Sequence, residues 1–181
     1  MNIRRAINLD PLSLVINASL AWGYHFARRY EESIQESEDF ITDHSGFAMG
    51  LLNYGAALML AGRPRESVPA LERAYAMSPI PAVLPALGEA YLAMGQMEEV
   101  KKIVERLKEV DRETGVPPSV MAMGSLLVEE KETALGWMEK AFQQRDIWLL
   151  LLNQLPLFDQ VRNNPRAMVV LGSIYQRRAR K

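Results

Sequence analysis

Few residues in this chain are of the types that do chemistry, and they are scattered. There is no cysteine, and the only histidines are His25 and His44. Disulfides and thiol catalysis are therefore excluded, and a zinc site has poor material. Carboxylate pairs occur at Glu31-Glu32, Glu98-Glu99 and Glu129-Glu130. Paired carboxylates can carry acid–base catalysis. Here each pair opens an apolar-periodic segment, where negative charge suits the positive end of a helix dipole. Gly46, Gly50 and Gly55 are not spaced as a phosphate-cradling turn, and no His-Glu-x-x-His is present. Catalytic, cofactor-binding and metal residues are thus not expected.

Bulk properties narrow the partners. The 21 Lys plus Arg nearly balance 22 Asp plus Glu, giving a net charge of -1, so the phosphate-neutralising term that dominates nucleic-acid affinity is missing. The longest apolar cluster, Ile147 to Leu152, is far short of the ~20 residues that span a bilayer. Met1 to Asp10 has Arg4 and Arg5 but no apolar stretch behind them, so it does not read as a signal peptide. A protein or peptide partner is expected, with no nucleic acid and no membrane insertion by this region. The expected compartment is the cytoplasm, or the periplasm if a parent protein is membrane-anchored.

The elements that would position a partner site follow from an internal period. Ala21, Gly55, Gly88 and Ala122 recur with separations of 34, 33 and 34 (21 to 55, 55 to 88, 88 to 122). Ser33, Ser67, Val100 and Ala134 keep the same spacing, as do Phe40, Ala74, Leu107 and Ala141. Three marker sets in one register imply a repeated helical hairpin. Small residues let paired helices approach, and larger ones three or four positions away form the apolar stripe. Gly62 and Gly95 fall where a left-handed C-cap favours glycine. Pro64 and Pro81 fall in first turns, and Ser78-Pro79 stops a second helix. Helices are expected over residues 12–27, 30–42, 46–61, 64–77, 81–94, 97–114, 118–128, 130–144, 147–154 and 165–178, with no strand.

The pattern Leu51, Tyr54, Gly55, Leu58, then Ser67, Leu71, Ala74 and Pro79 resembles the tetratricopeptide repeat; Leu87, Gly88 and Tyr91 repeat part of it. That resemblance implies an all-α, right-handed α-α superhelix of four helical hairpins with an irregular C-terminal cap. Residues 1–11 read as the end of a preceding repeat's second helix, the chain being a piece of a longer protein. The repeats then run 12–45, 46–80, 81–114 and 115–146, and the cap 147–181. Leu150, Leu152, Leu157, Phe158 and Val161 are the residues expected to cover the last apolar face. Arg177, Arg178, Arg180 and Lys181 form a solvated helix C-terminus.

Longer stretches resemble the C-terminal tetratricopeptide region of bacterial signalling proteins, where it follows a winged-helix, nucleotide cyclase or Ser/Thr kinase domain. They are Arg5 to Pro11, Tyr24 to Ser33, Leu135 to Phe142 and, most distinctively, Leu155 to Arg166. Asn164 and Ala167 depart from that family's aspartate and phenylalanine. The resemblance implies a non-enzymatic interaction or sensor module, with self-association through the C-terminal cap, as a homodimer, as the alternative.

In such arrays the first helix of each hairpin lines a concave groove. This places Val15, Ala18, Trp22 and His25 there from the first repeat, and Met49, Leu52, Asn53, Ala56 and Met59 from the second. Ala82, Pro85, Glu89 and Leu92 come from the third, and Met123 and Leu126 from the fourth. Arrays that clamp a peptide carboxylate use Lys, Asn and Arg at five positions, which here hold Ala18, Trp22, Asn53, Ala82 and Ala86. Only Asn53 keeps the required chemistry, because a desolvated carboxylate needs cationic or amide donors. The groove is expected to take an apolar or amphipathic peptide or partner surface, with tryptophan as an anchor and methionines as adaptable walls.

Overall fold

The computed structural model describes residues 13, 20–25, 27–146, 148–149 and 155–179, with side chains up to residue 172. Helix α1 covers residues 20–25 of this set. It is followed by α2 (Tyr30–Asp43), α3 (Ala48–Leu60), α4 (Pro64–Met77), α5 (Val83–Ala93), α6 (Met97–Thr114), α7 (Pro118–Leu127) and α8 (Lys131–Gln143). A 3-10 helix at Pro156–Gln160 and α9 (Pro165–Ala179) complete the order. No strand occurs among the described residues, and the fold is an all-α helical repeat. The limits of α4 and α6 are those expected from sequence. Helix α5 begins two residues late, after a turn at Pro81-Ala82. The 3-10 helix was not anticipated. Residues 1–11, Leu150, Leu152 and most of the helix expected over 147–154 lie outside the described residues.

Two compact units are present, residues 1–95 and 96–181. In the first, α3 packs on α2, α4 and α5, and α4 packs on α5. First and second helices differ in kind. Helix α3 (AMGLLNYGAALML) carries no charge at all. Helix α2 buries only Ser33, Ile34, Ser37 and Phe40 and turns its acids outward. This is the amphipathic stripe of a surface helix against the all-round apolarity of an inner one.

The α3–α4 hairpin closes on its smallest residues. Ser67 Oγ donates to the Gly55 carbonyl at 2.7 Å, and a Cβ placed on Gly55 would lie 2.6 Å from Leu71 Cγ. One repeat earlier, Ser33 Oγ donates to the Ala21 carbonyl at 2.9 Å. Both bonds are buried, so each hydroxyl is satisfied where an unpaired one would be costly.

The backbone supplies a further periodic marker. Arg28, Gly62, Gly95 and Glu129 all have positive φ (57°, 77°, 72° and 60°). Their separations, 34, 33 and 34 (28 to 62, 62 to 95, 95 to 129), repeat the period of the side-chain markers. Each ends a first helix. The next amide bonds back to the last turn: Arg29 to Tyr24, Arg63 to Leu58 and Glu130 to Ser125, each at 2.9 Å. This left-handed closure satisfies carbonyls that would otherwise be orphaned.

In the second unit, α7 packs on α6, α8 and the 3-10 helix, and α9 packs on α8. Leu149, Leu157, Phe158 and Val161 are buried. The Asp146 carboxylate accepts the amides of Ser119 and Trp148, both at 3.0 Å, which ties the start of α7 to the start of the cap. The Arg166 guanidinium joins α9 to Glu139 (2.7 Å) and Glu132 (2.8 Å) of α8. Asn164 Oδ1 accepts the Arg166 amide at 2.9 Å, and so caps α9 where the resembled family carries aspartate. Ala167, in place of phenylalanine, is fully buried.

Candidate peptide-binding face

Equivalent positions of successive first helices form columns. Trp22, Ala56 and Glu89 share one, and His25, Met59 and Leu92 another, each with separations of 34 and then 33. Offsets of three and four along one helix bring the columns onto one face. Helices α1, α3 and α5 supply this face within the first unit, and α3 and α5 touch.

The structure sorts the sequence-predicted residues by access. Val15 and Ala18 lie outside the described residues. Trp22, Met49, Ala56, Met59, Glu89 and Leu92 are half-buried, each keeping surface that a partner could cover. Leu52, Asn53 and His25 are buried, at 4–6% exposure. The Trp22 ring lies 5.0 Å from the His25 ring, tilted by 45°, and Tyr30 meets His25 edge-on at 6.3 Å. Burial lowers the His25 pKa to about 4, so the imidazole is neutral near pH 7. It acts as an aromatic spacer behind Trp22 and not as a charged wall of the groove.

Glu89 differs from every other member of the set. It is the one charged residue of α5, whose sequence is VLPALGEAYLA. Val83 to Gly88 and Ala90 around it are buried. Burial raises its carboxyl to about 7.

Pro85, also expected in the groove, is buried, and neither position expected from the fourth repeat lies on an open face. All ten residues of α7 are buried, including Met123 and Leu126. The 3-10 helix packs on α7, and Gln160 Nε2 donates to the Leu126 carbonyl at 3.2 Å. The reason is the cap: a last repeat has no following hairpin, and an apolar helix there must be covered by something else. Sequence reading missed this because α7 and α3 have the same apolar character. It also missed a cavity of about 390 Å³ in the second unit, lined by Glu139, Phe142, Gln143, Pro165, Arg166, Val169 and Val170. Met168 and Val169, beside it on α9, are exposed.

Among the described residues no group of three or more His, Asp or Glu could hold a metal ion. Among the same residues no helix is long and apolar enough to cross a membrane. Helical hairpins in one repeating register, closed by left-handed turns and presenting one apolar face, define a helical-repeat interaction protein. The family model for the tetratricopeptide repeat matches residues 58–116, from the end of α3 to just beyond α6. Residues 58–116 thus carry the tetratricopeptide repeat, and such repeats are protein–protein interaction modules of a typically non-catalytic kind. None of the curated proteins matches it.

Proposed function

We propose that this chain is the partner-docking or sensor region of a bacterial signalling or regulatory protein, and that it holds an apolar or amphipathic peptide against α1, α3 and α5. The observation that carries the reading is the half-buried set Trp22, Met49, Met59 and Leu92 on helices with almost no charge. Such a surface gains by burial, at roughly 25 cal/mol per Å² of apolar area before the costs of association. A carboxylate clamp is disfavoured twice over. Trp22, Ala82 and Ala86 occupy donor positions, and the remaining amide, Asn53, is itself buried.

The test is a peptide selected on the full chain from a random library, titrated with free and amidated C-termini at low and high salt. Binding should be indifferent to amidation and weakly dependent on salt, because burial is not screened as exposed charge pairs are. Trp22→Ala should weaken it roughly tenfold or more, as expected of an aromatic anchor. Loss of binding on amidation, or loss with Asn53→Ala but not with Trp22→Ala, would overturn the reading.

A second reading, self-association through the C-terminal end, is favoured by one observation. Helix α9 carries both exposed projections, Met168 and Val169 at 55% and 69%, and one wall of the α8–α9 cavity. A knob and a hole on one helix suit a two-fold pairing in which each copy fills the other. The buried Leu149, Leu157 and Phe158 contribute nothing to such a contact. Sedimentation at several concentrations, with Val169→Glu beside the parent chain, distinguishes a concentration-dependent dimer from a monomer.

A further inference from the structure

Several carboxylates of the first unit are held by a partner. Glu32 and Glu66 pair with Arg29 and Arg63 at 2.7 and 2.6 Å, and Glu31 reaches Arg63 at 4.0 Å. Glu38 and Glu72 accept the hydroxyls of Tyr54 (2.8 Å) and Tyr91 (3.1 Å). All of these acids stand on second helices. Glu89 stands on a first helix, and among the described residues neither an ion pair nor a hydrogen-bond donor reaches its carboxylate. Its setting is apolar: Pro85, Ala86, Gly88 and Ala90 are buried around it, and Leu92 lies half-buried one turn on.

A carboxylate in such a place is a liability to the isolated fold. Taking an ionised group partly out of water with nothing to compensate it costs free energy, and here the group responds by a weakened acidity. A solvent-facing position on the second helices would have avoided that cost. The column position offers a reason for the placement. Trp22 is at one end of the column, Glu89 at the other, and Ala56 between them is too small to fill the surface. A helix laid across the column can set an apolar residue over Ala56 and against Trp22 and Met59. A cationic side chain from the same helix, its stem lying along Leu92, then reaches Glu89; lysine and arginine suit this, having apolar stems and charged heads.

We propose that the peptide held by this face is an amphipathic helix carrying one lysine or arginine at the border of its apolar stripe, and that Glu89 is the counter-ion that fixes its register and direction. The inference rests on the apolar-face reading above and sharpens it to one partner chemistry. Apolar contacts are non-directional, so they leave a peptide free to slide or reverse. One charge pair in an otherwise apolar face removes that freedom, in the way that charged groups across an interface set register more than affinity.

The experiment selects a helical peptide library, randomised at every position, against the full 181-residue chain and against Glu89→Gln and Glu89→Lys, each checked for native helicity. The parent chain should enrich Lys or Arg at one fixed offset from the apolar anchors. Glu89→Gln should lose that preference while still selecting apolar peptides, and Glu89→Lys should turn it toward Asp or Glu. For one selected peptide, replacing its basic residue with glutamine should weaken binding to the parent chain roughly tenfold, the scale of a charge-assisted hydrogen bond, and to Glu89→Gln less than about twofold. Apolar peptides selected by the parent chain without a basic position, or the same basic preference in Glu89→Gln, would overturn the role of Glu89 and leave the apolar face standing. Failure of the parent chain to select any apolar peptide would overturn both.

Discussion

Helices α3 and α7 hold the same place in their hairpins and are alike in composition, with no charged residue in either. Yet α3 keeps Met49, Ala56 and Met59 half-open, whereas α7 is buried from end to end. The difference lies outside the helices. In the second unit the 3-10 helix at Pro156–Gln160 packs on α7, and the Gln160 amide takes the Leu126 carbonyl. Apolarity all round a helix states that it needs cover; it does not state whether that cover is this chain or a partner.

The sharpest way to break this comparison is one substitution made at equivalent positions of α3 and α7. Met123 and Ala56 are equivalent positions, one at 9% exposure and the other half-buried. Met123→Glu buries a charge without a partner and should cost roughly 3 kcal/mol or more. Ala56→Glu should cost less, about 1 kcal/mol, since its half-buried position leaves the carboxylate in reach of water. Urea melts of both variants decide the matter. Equal losses would mean that α3 is as fully covered as α7 and that no open face exists.

A smaller contrast lies in the hairpin seam. Gly55 has no room for a Cβ against Leu71, while Ala122, its counterpart in the fourth repeat, is fully buried with its methyl in place. Gly55→Ala should therefore cost about 1–3 kcal/mol by overpacking, although alanine is the better helix former. Ala122→Gly should cost about 1 kcal/mol, from helix propensity and the lost contact. Thermal melts that show Gly55→Ala as neutral or stabilising would mean that Leu71 yields easily and that the seam is looser than it looks.

These pairs also show where the sequence was legible. The hairpins could be read because their causes are local and repeated: small residues at Ala21, Gly55, Gly88 and Ala122, and stops at Gly62, Gly95 and Pro79. The open face was legible only as a register. Which columns a partner can reach depends on long-range packing, so the burial of Met123 and Leu126 was invisible. So was the withdrawal of His25, Leu52 and Asn53 from the surface, because each sits at a register position that an open helix would expose. Glu89 could be named but not understood, since an acid on a first helix means little until its partners on every side are known.

The finest test concerns the turns that join first helices to second ones. The four equivalent positions adopt the left-handed conformation, but only the middle two are glycine. Arg28 and Glu129 hold φ values of 57° and 60°, a region where an L side chain crowds the following carbonyl at a cost of roughly 1–2 kcal/mol. Glycine removes that cost but loses about 0.5–1 kcal/mol through the greater freedom of the unfolded chain. Glu129→Gly should therefore stabilise the protein by only about 0.5 kcal/mol, and Gly62→Ala should destabilise it by about 1 kcal/mol. Gly46→Ala serves as the control, since Gly46 does not share the positive φ and its added Cβ would meet nothing within 4 Å; it should be neutral or slightly stabilising. The sign pattern in thermal melts matters more than the sizes. If Glu129→Gly destabilised the fold, the glutamate at the closed end would be held there by interactions of its side chain, and the turn's equivalence across the repeats would be of backbone shape alone, not of energetics.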